Sequence, residues 1–315
     1  MKFISYYTPD HKKIRGGWIH NGNVYDLEET YLHLAKTRGE DISPPVSLLD
    51  YLNLSQARKD WLIHLHKTAE INFPVAGKKQ EIKFAAPLPR PASFRDFYAF
   101  EEHVKTARKR RGLDIVPEWY DFPVFYFSNA SAIKGPDEPI EKPEYTEWMD
   151  YELEVACVIG KEGRNIRRKE AFEYIEGFMI LNDWSARDIQ RQEVKVGLGP
   201  AKGKDFATSM GPYLVTKDEL EERRSGEHYD LEMKASVNGV LLSQGNMKSL
   251  YFSFAQMIER ASEACTLYPG DVIGSGTVGT GCILELGTEI HRWLQKGDVV
   301  ELSIEELGVL RNEII

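Results

Sequence analysis

The sequence predicts an α+β protein rich in strand, with a small α+β unit leading into a larger β-rich domain. Three observations carry this reading. The final third sets many short strand signals around a single helical segment, no regular strand–helix alternation of the βαβ kind runs through the chain, and Pro87, Pro89 and Pro91 make a stiff segment typical of a boundary. The chain has 315 residues, more than one small core usually organises, so two units are expected. We place them at residues 1–83 and 84–315.

Composition excludes several classes. Hydrophobic residues at 42% and charged residues at 28% are globular values. A net charge of −9 and a pI of about 5.5 disfavour nucleic acid and anionic membrane as partners. One basic run, Lys105 with Arg108, Lys109, Arg110 and Arg111, suits the negative end of a helix and equally suits attraction of a small anion. Cys157, Cys265 and Cys282 lack metal-type spacing and read as buried, reduced thiols of an intracellular protein. The first residues lack a long apolar core and no 18-residue apolar stretch exists, so neither export nor a membrane span is expected and the expected location is cytoplasmic.

Taken in order, residues 3–6 and 17–20 read as strands, Asn21-Gly22-Asn23 as a hairpin turn and residues 24–27 as the return strand. Residues 48–54 and 56–68 have helical spacing, with Trp61, Leu62 and Leu65 on one side. His64 and His66, two apart, cannot share a helical face, which argues against a metal pair there. Beyond the prolines, Ser93 reads as a cap and Phe94, Phe97, Phe100 and Val104 as the apolar face of an amphipathic helix. On that helix Asp96 and His103, seven apart, would share a face; a first-turn dipole partner and a surface histidine account for them as well. Residues 115–143 are loop-rich around an aromatic strand at 124–127.

Residues 150–160 then read as a strand. Glu152 and Glu154, two apart, leave one face of it, and two like charges side by side call for a bound cation unless that face is simply solvated. A second strand at 178–181 runs into Asn182 or Asp183 as a helix cap, after which Asp183, Arg187 and Gln190 would stand on one helical face. An N-cap with an ordinary ion pair explains those three equally well. Two phosphate-site look-alikes fail. Residues 199–208 have the wrong glycine spacing and Asp205 where a magnesium-binding Ser or Thr belongs; Gly274-Ser275-Gly276-Thr277-Val278-Gly279 leads into residues 282–286, which read as strand and not helix. The remaining strands are expected at 231–237, 240–242, 272–274 and 298–304, with a helix at 254–264.

Four motifs now stand in order: Glu152-x-Glu154; Asn182-Asp183-Trp184-Ser185-Ala186-Arg187-Asp188 with Gln190; Gly203-Lys204-x-Phe206-x-Thr208; and Pro269-Gly270-Asp271-Val272-Ile273 with Gly276-Thr277. Together they resemble the fumarylacetoacetate hydrolase family over residues 85–305, and residues 1–80 resemble the accessory N-terminal domain of many members. The resemblance implies a mixed β-sandwich or roll of the fumarylacetoacetase C-terminal type, with residues 84–315 as its catalytic domain. It implies a metal site of Glu152, Glu154 and Asp183, with Asp96 added as in fumarylacetoacetase-like members. An all-carboxylate set is hard and oxygen-rich, which suits Mg²⁺ or Mn²⁺, admits Ca²⁺ and disfavours zinc.

The same resemblance implies His103 as general base, oriented by Glu285, with Arg187, Gln190 and Lys204 around the reacting carbonyls and Tyr98, Tyr126, Thr208 and Thr277 as substrate contacts. Acylpyruvase-like members carry a glutamate three residues after their histidine. Here that position is Thr106, which favours the fumarylacetoacetase arrangement. Val194 replaces a fumarylacetoacetase tyrosine, and Arg111 is offset by one from its substrate arginine. The implied activity is metal-dependent hydrolysis of a carbon–carbon bond in a 1,3-diketo acid, so the partner is a small anionic keto acid, in a homodimer. Decarboxylation, hydration or isomerisation of a 2-oxo diacid, such as oxaloacetate or 2-hydroxyhepta-2,4-dienedioate, would use the same site. A non-catalytic metabolite binder would be marked by loss of His103, Lys204 or a carboxylate, and all are present.

Overall fold

Residues Leu153–Ile159 are buried without exception, so both faces of this strand must be covered. A computed structural model, which describes residues 1–68, 71, 75–197 and 199–315, shows how. The strand lies inside a twelve-stranded mixed sheet. Its main path runs Gly77–Lys78, Asn23–Asp26, Ile14–His20, Lys2–Tyr7, Thr208–Thr216, Ile175–Asn182, Leu153–Ile159, Val272–Gly274, Phe94–Phe97 and Phe125–Phe127. Val155, Cys157 and Ile159 point into a core shared with a second, four-stranded sheet of Val240–Asn246, Glu232–Val237, Val299–Ile304 and Gly308–Glu313. Ala156 and Val158 point the other way, into a core with Phe3, Trp18, Leu27 and Tyr31 from the N-terminal segment. The fold is therefore α+β and strand-rich, with a large mixed sheet packed on both faces.

The N-terminal hairpin forms as expected, and Lys2–Tyr7 pairs directly with Thr208–Thr216, so one sheet runs across residue 83. Asp26 ends the hairpin by capping a helix, Leu27–Arg38, that the strand reading overlooked. Its signals were present: the Asp26 side chain accepts from the Glu29 amide, Glu28 and Glu29 fill the first turn, and Gly39 closes it at φ 66°. The Thr208–Thr216 strand was also overlooked because Gly211-Pro212 in its middle reads as a breaker.

Three expected helix or strand assignments change. Residues 93–104 are not one helix. Phe94–Phe97 is a wholly buried strand, paired in parallel with Val272–Gly274 and antiparallel with Phe125–Phe127, and the helix is Glu101–Arg110. Apolar residues three apart satisfied the helical period, but pairing on two sides decides for strand. Asp183 does not cap the next helix: the chain continues through a short Ser185–Ala186 strand and the helix begins at Arg187. Residues 282–286 are not a strand but one helical turn, Ile283–Leu286. The dinucleotide reading still fails, because the first amides of this turn already bind the Asp150 carboxylate. Cys157 and Cys282 are buried free thiols as expected, whereas Cys265 is only half-buried.

Candidate active site

Sheet order brings the acids together. Asp183 follows the Ile175–Asn182 strand, Glu152 and Glu154 sit at the start of the neighbouring strand, and Asp96 lies one strand further on, beyond Val272–Gly274. Gly274 is directly opposite Asp96, and a Cβ there would meet Asp96 Oδ1 at 2.4 Å; the missing side chain is the space the carboxylate uses. All four acids are buried.

Four carboxylates at one place need compensation. Lys204 supplies part of it, pairing with Glu152 and, at 2.6 Å, with Asp183 Oδ2. Arg187 Nη2 lies 2.8 Å from Glu152 Oε1 while its Nε donates to Asp150 at 2.8 Å. Neutral donors cover other oxygens. Tyr126 donates to Asp183 and lies 3.2 Å from Asp96 Oδ2; the Gly276 amide donates to Asp96 at 3.2 Å, Thr277 to Glu154 at 3.3 Å and Thr208 to Asp183 at 3.4 Å. Glu154 Oε2 is buried with no amide, hydroxyl or basic donor among the described residues, and the Glu154 carboxyl shares a hydrogen bond with that of Asp96.

The environment splits these acids. Burial raises the Glu152 carboxyl, but Lys204, Arg187 and the nearby His103 outweigh it and hold the group well below the usual range. Burial and the Asp183 charge push Asp96 up to about 8, and burial with the Asp96 and Glu152 charges raises Glu154 well above its ordinary value. Asp183 is raised by burial against the pull of Lys204. By its chemistry this oxygen-only set, with two acids driven toward their protonated forms, suits a hard divalent cation; in this structure Lys204 bridges Glu152 and Asp183, and among the described residues no three of the four acids bring an oxygen each within 4.8 Å of one another.

Next to this cluster is a buried histidine–glutamate pair. The buried His103 Nδ1 is hydrogen-bonded to Glu285 Oε1, and the Thr280 amide holds Glu285 Oε2 at 2.8 Å. Nδ1–H donated to the carboxylate leaves Nε2 as the acceptor. The Tyr98 ring stands edge-on to the imidazole at 5.3 Å, and burial pushes its hydroxyl up to about 12. Cys282 Sγ lies 3.7 Å from Glu285 Oε1, so His103, Cys282 and Glu285 could in outline ligate a metal. Their chemistry argues otherwise, since His103 and Glu285 already bind each other and burial with surrounding carboxylates keeps the thiol protonated.

Every site residue named from sequence falls in this region. Asp96 and His103 reach it from a strand and a following helix, not from one helical face. Arg187 and Gln190 do share a helical turn, Arg187 Nη1 donating to Gln190 Oε1 at 3.1 Å. Tyr126, Thr208 and Thr277 spend hydroxyls on the carboxylates. A cleft of about 320 Å³ is lined by Tyr126, Phe127, Asn129, Lys202 and Lys204, of which Tyr126 and Lys204 also bind carboxylates of the cluster. Sequence reading missed Asp150, Asn182 and Thr280. Asp150 precedes Glu152 and Glu154 by even steps within the stretch read as one strand, whereas the structure sets it in a separate short strand, Met149–Asp150. Asn182, read from sequence as a possible helix cap, instead accepts from the Glu152 amide with its Oδ1 at 2.9 Å.

Comparison with known proteins matches residues 92–315 to the fumarylacetoacetate (FAA) hydrolase C-terminal family. The chain belongs to the fumarylacetoacetate hydrolase family. The chain spans less than two thirds of the length of some of the curated relatives it matches, 65% of one and 58% of another. It is 36% identical to a 2,4-didehydro-3-deoxy-L-rhamnonate hydrolase of Sphingomonas sp. (strain SKA58) over 195 residues, 61% of this chain and 65% of that protein. It is 31% identical to a mitochondrial oxaloacetate tautomerase of Bos taurus over 281 residues, 86% of this chain and 80% of the other. The fumarylacetoacetate hydrolase of Exiguobacterium antarcticum superposes with a TM-score of 0.71 at 26% identity, covering 100% of this chain and 99% of that one. Among the described residues no helix is long and apolar enough to cross a membrane.

Proposed function

We propose that this fumarylacetoacetate hydrolase family enzyme hydrolyses a carbon–carbon bond in a 1,3-diketo acid, with His103 as the base that activates water. The observation that carries the reading is the buried His103–Glu285 pair beside the carboxylate cluster. A divalent cation, Mg²⁺ or Mn²⁺, held by Glu152, Glu154 and Asp183 with Asp96 adjoining, would supply Lewis-acid polarisation of the substrate oxygens. His103 Nε2 takes a proton from water, and the resulting hydroxide adds to one carbonyl. Glu285 stabilises the imidazolium, with Thr280 fixing its far oxygen. The charges of Lys204 and Arg187 favour the oxyanion, and Gln190, held by Arg187, borders the same side. Collapse breaks the carbon–carbon bond, the bonding pair leaves as an enolate of the 2-oxo acid, and the imidazolium returns its proton to that carbon. The products are one carboxylic acid and one 2-oxo acid. Tyr98, Tyr126, Thr208 and Thr277 are the substrate contacts in this reading.

A second reading, keto–enol tautomerisation of an oxaloacetate-like 2-oxo diacid, is favoured by the similarity to oxaloacetate tautomerases over most of the chain. There His103 would move a carbon-bound proton and no bond between carbons would break. Purified Mg²⁺-loaded enzyme should be offered acylpyruvates and enol-oxaloacetate in parallel. Cleavage of an acylpyruvate that falls by a factor of about 10² to 10⁴ in His103→Ala, with Mg²⁺ affinity nearly unchanged, is the expected result. Accelerated ketonisation of oxaloacetate without cleavage of any acylpyruvate would replace the hydrolytic reading with the tautomerase one.

A further inference from the structure

The geometry points to Asp150 as a positioning residue that locks the charged half of the site to its proton-transfer half. The proposal deepens the reading of His103 and Glu285 given above and rests on it for its catalytic consequence. Asp150 is fully buried in the short strand Met149–Asp150, opposite Ser185 of the Ser185–Ala186 strand. Its carboxylate carries three hydrogen bonds to two separate parts of the chain. Oδ2 accepts from Arg187 Nε at 2.8 Å and from the Leu284 amide at 3.0 Å; Oδ1 accepts from the Ile283 amide at 2.8 Å.

Each partner leads into the site. Arg187 reaches on to Glu152, which in turn holds Lys204. Ile283 and Leu284 open the single helical turn that presents Glu285 to His103. A turn of four residues has little rigidity of its own, so the orientation of Glu285 depends on what pins that turn. Asp150 pins it to the side chain that orients Glu152. None of its three bonds faces the cleft, so it acts through other residues and touches no reacting atom.

Asparagine keeps the shape but offers one oxygen and an amide donor, so at least one of the three donors loses its acceptor. We expect Asp150→Asn to lower kcat by roughly tenfold to a hundredfold, the range for residues that orient site groups, with a much smaller change in KM. The pH midpoint of kcat/KM should move, and the loss should not multiply with that of Glu285→Gln, because both act on the same histidine. The imidazole resonance of His103, identified by its disappearance in His103→Ala, should shift in Asp150→Asn without any substrate present. That readout survives a wrong substrate assignment, whereas full activity of His103→Ala would sink the functional reading and leave the coupling standing. If Asp150→Asn does not fold, Arg187→Lys serves instead: it keeps the charge, loses the planar fork and should move the same resonance. A His103 resonance unmoved by the folded variant, together with an unchanged pH midpoint, overturns the proposal.

Discussion

At the scale of single residues, the acids of the cluster are set apart by their neighbours, not by their type. Glu152, between Lys204 and Arg187, stays ionised; Asp96, facing Asp183 across a buried gap, is pushed up to about 8. A carboxyl whose folded pKa lies above its unfolded value binds more protons in the folded state, so its contribution to stability is complete below the unfolded pKa and is lost as pH rises through the folded one. For Asp96 that window runs from about 4 to about 8. Metal-free protein should therefore lose thermal stability as pH rises across it, by about 1.4 kcal/mol per pH unit for each proton held only when folded. Asp96→Asn should flatten that dependence, and a melting series in chelator at several pH values reads it directly; a stability that rises with pH in that window would refute the assignment. Glu154 has a buried oxygen with no amide, hydroxyl or basic donor among the described residues, and Glu154→Gln should abolish Mg²⁺ binding, as measured by calorimetric titration.

At the scale of elements, the loop after Val272–Gly274 does as much for the site as any strand. Gly276 has φ 76°, and a Cβ there would meet the Phe97 carbonyl oxygen at 2.4 Å. Its amide donates to Asp96 and the next residue, Thr277, donates to Glu154. Gly276→Ala must displace this loop, both because an L side chain is strained at that φ and because backbone lies in the way. The expected cost is about 1–3 kcal/mol of stability in a denaturant melt, together with weaker Mg²⁺ binding. Unchanged metal affinity in the folded variant would show that the loop does not organise the cluster.

At the scale of the whole molecule, the same sheet that carries the site also binds the N-terminal segment, through Lys2–Tyr7 on Thr208–Thr216 and through the core around Trp18 and Tyr31. The four-stranded sheet covers the opposite face and leaves Val240, Leu241 and Val309 exposed. A homodimer is the expected state, and sedimentation at micromolar concentration should give a species of twice 36.1 kDa; a monomer alone would remove it.

How far the chain spoke for itself follows from range. Local physics was legible wherever one period or one turn decided: the hairpin at Asn21-Gly22, the helix Gln56–Thr68 and the strand Val272–Gly274 stand where their spacing put them, whereas the single strand read over residues 150–160 divides into Met149–Asp150 and Leu153–Ile159, with Glu152 between them. The motif residues were legible as a set because chemistry restricts which side chains can share a buried charged site. Their geometry was not. Phe94–Phe97 has spacing that serves a helix, and only hydrogen bonds to strands about 30 and 180 residues away make it a strand and carry Asp96 to the acids. Glu285 lies on a turn and not a strand, and the first amides of that turn are held by Asp150, over a hundred residues earlier. Residue types and local periods determined what the site is made of; pairing between distant segments, whose partners no local pattern names, decided where each group points.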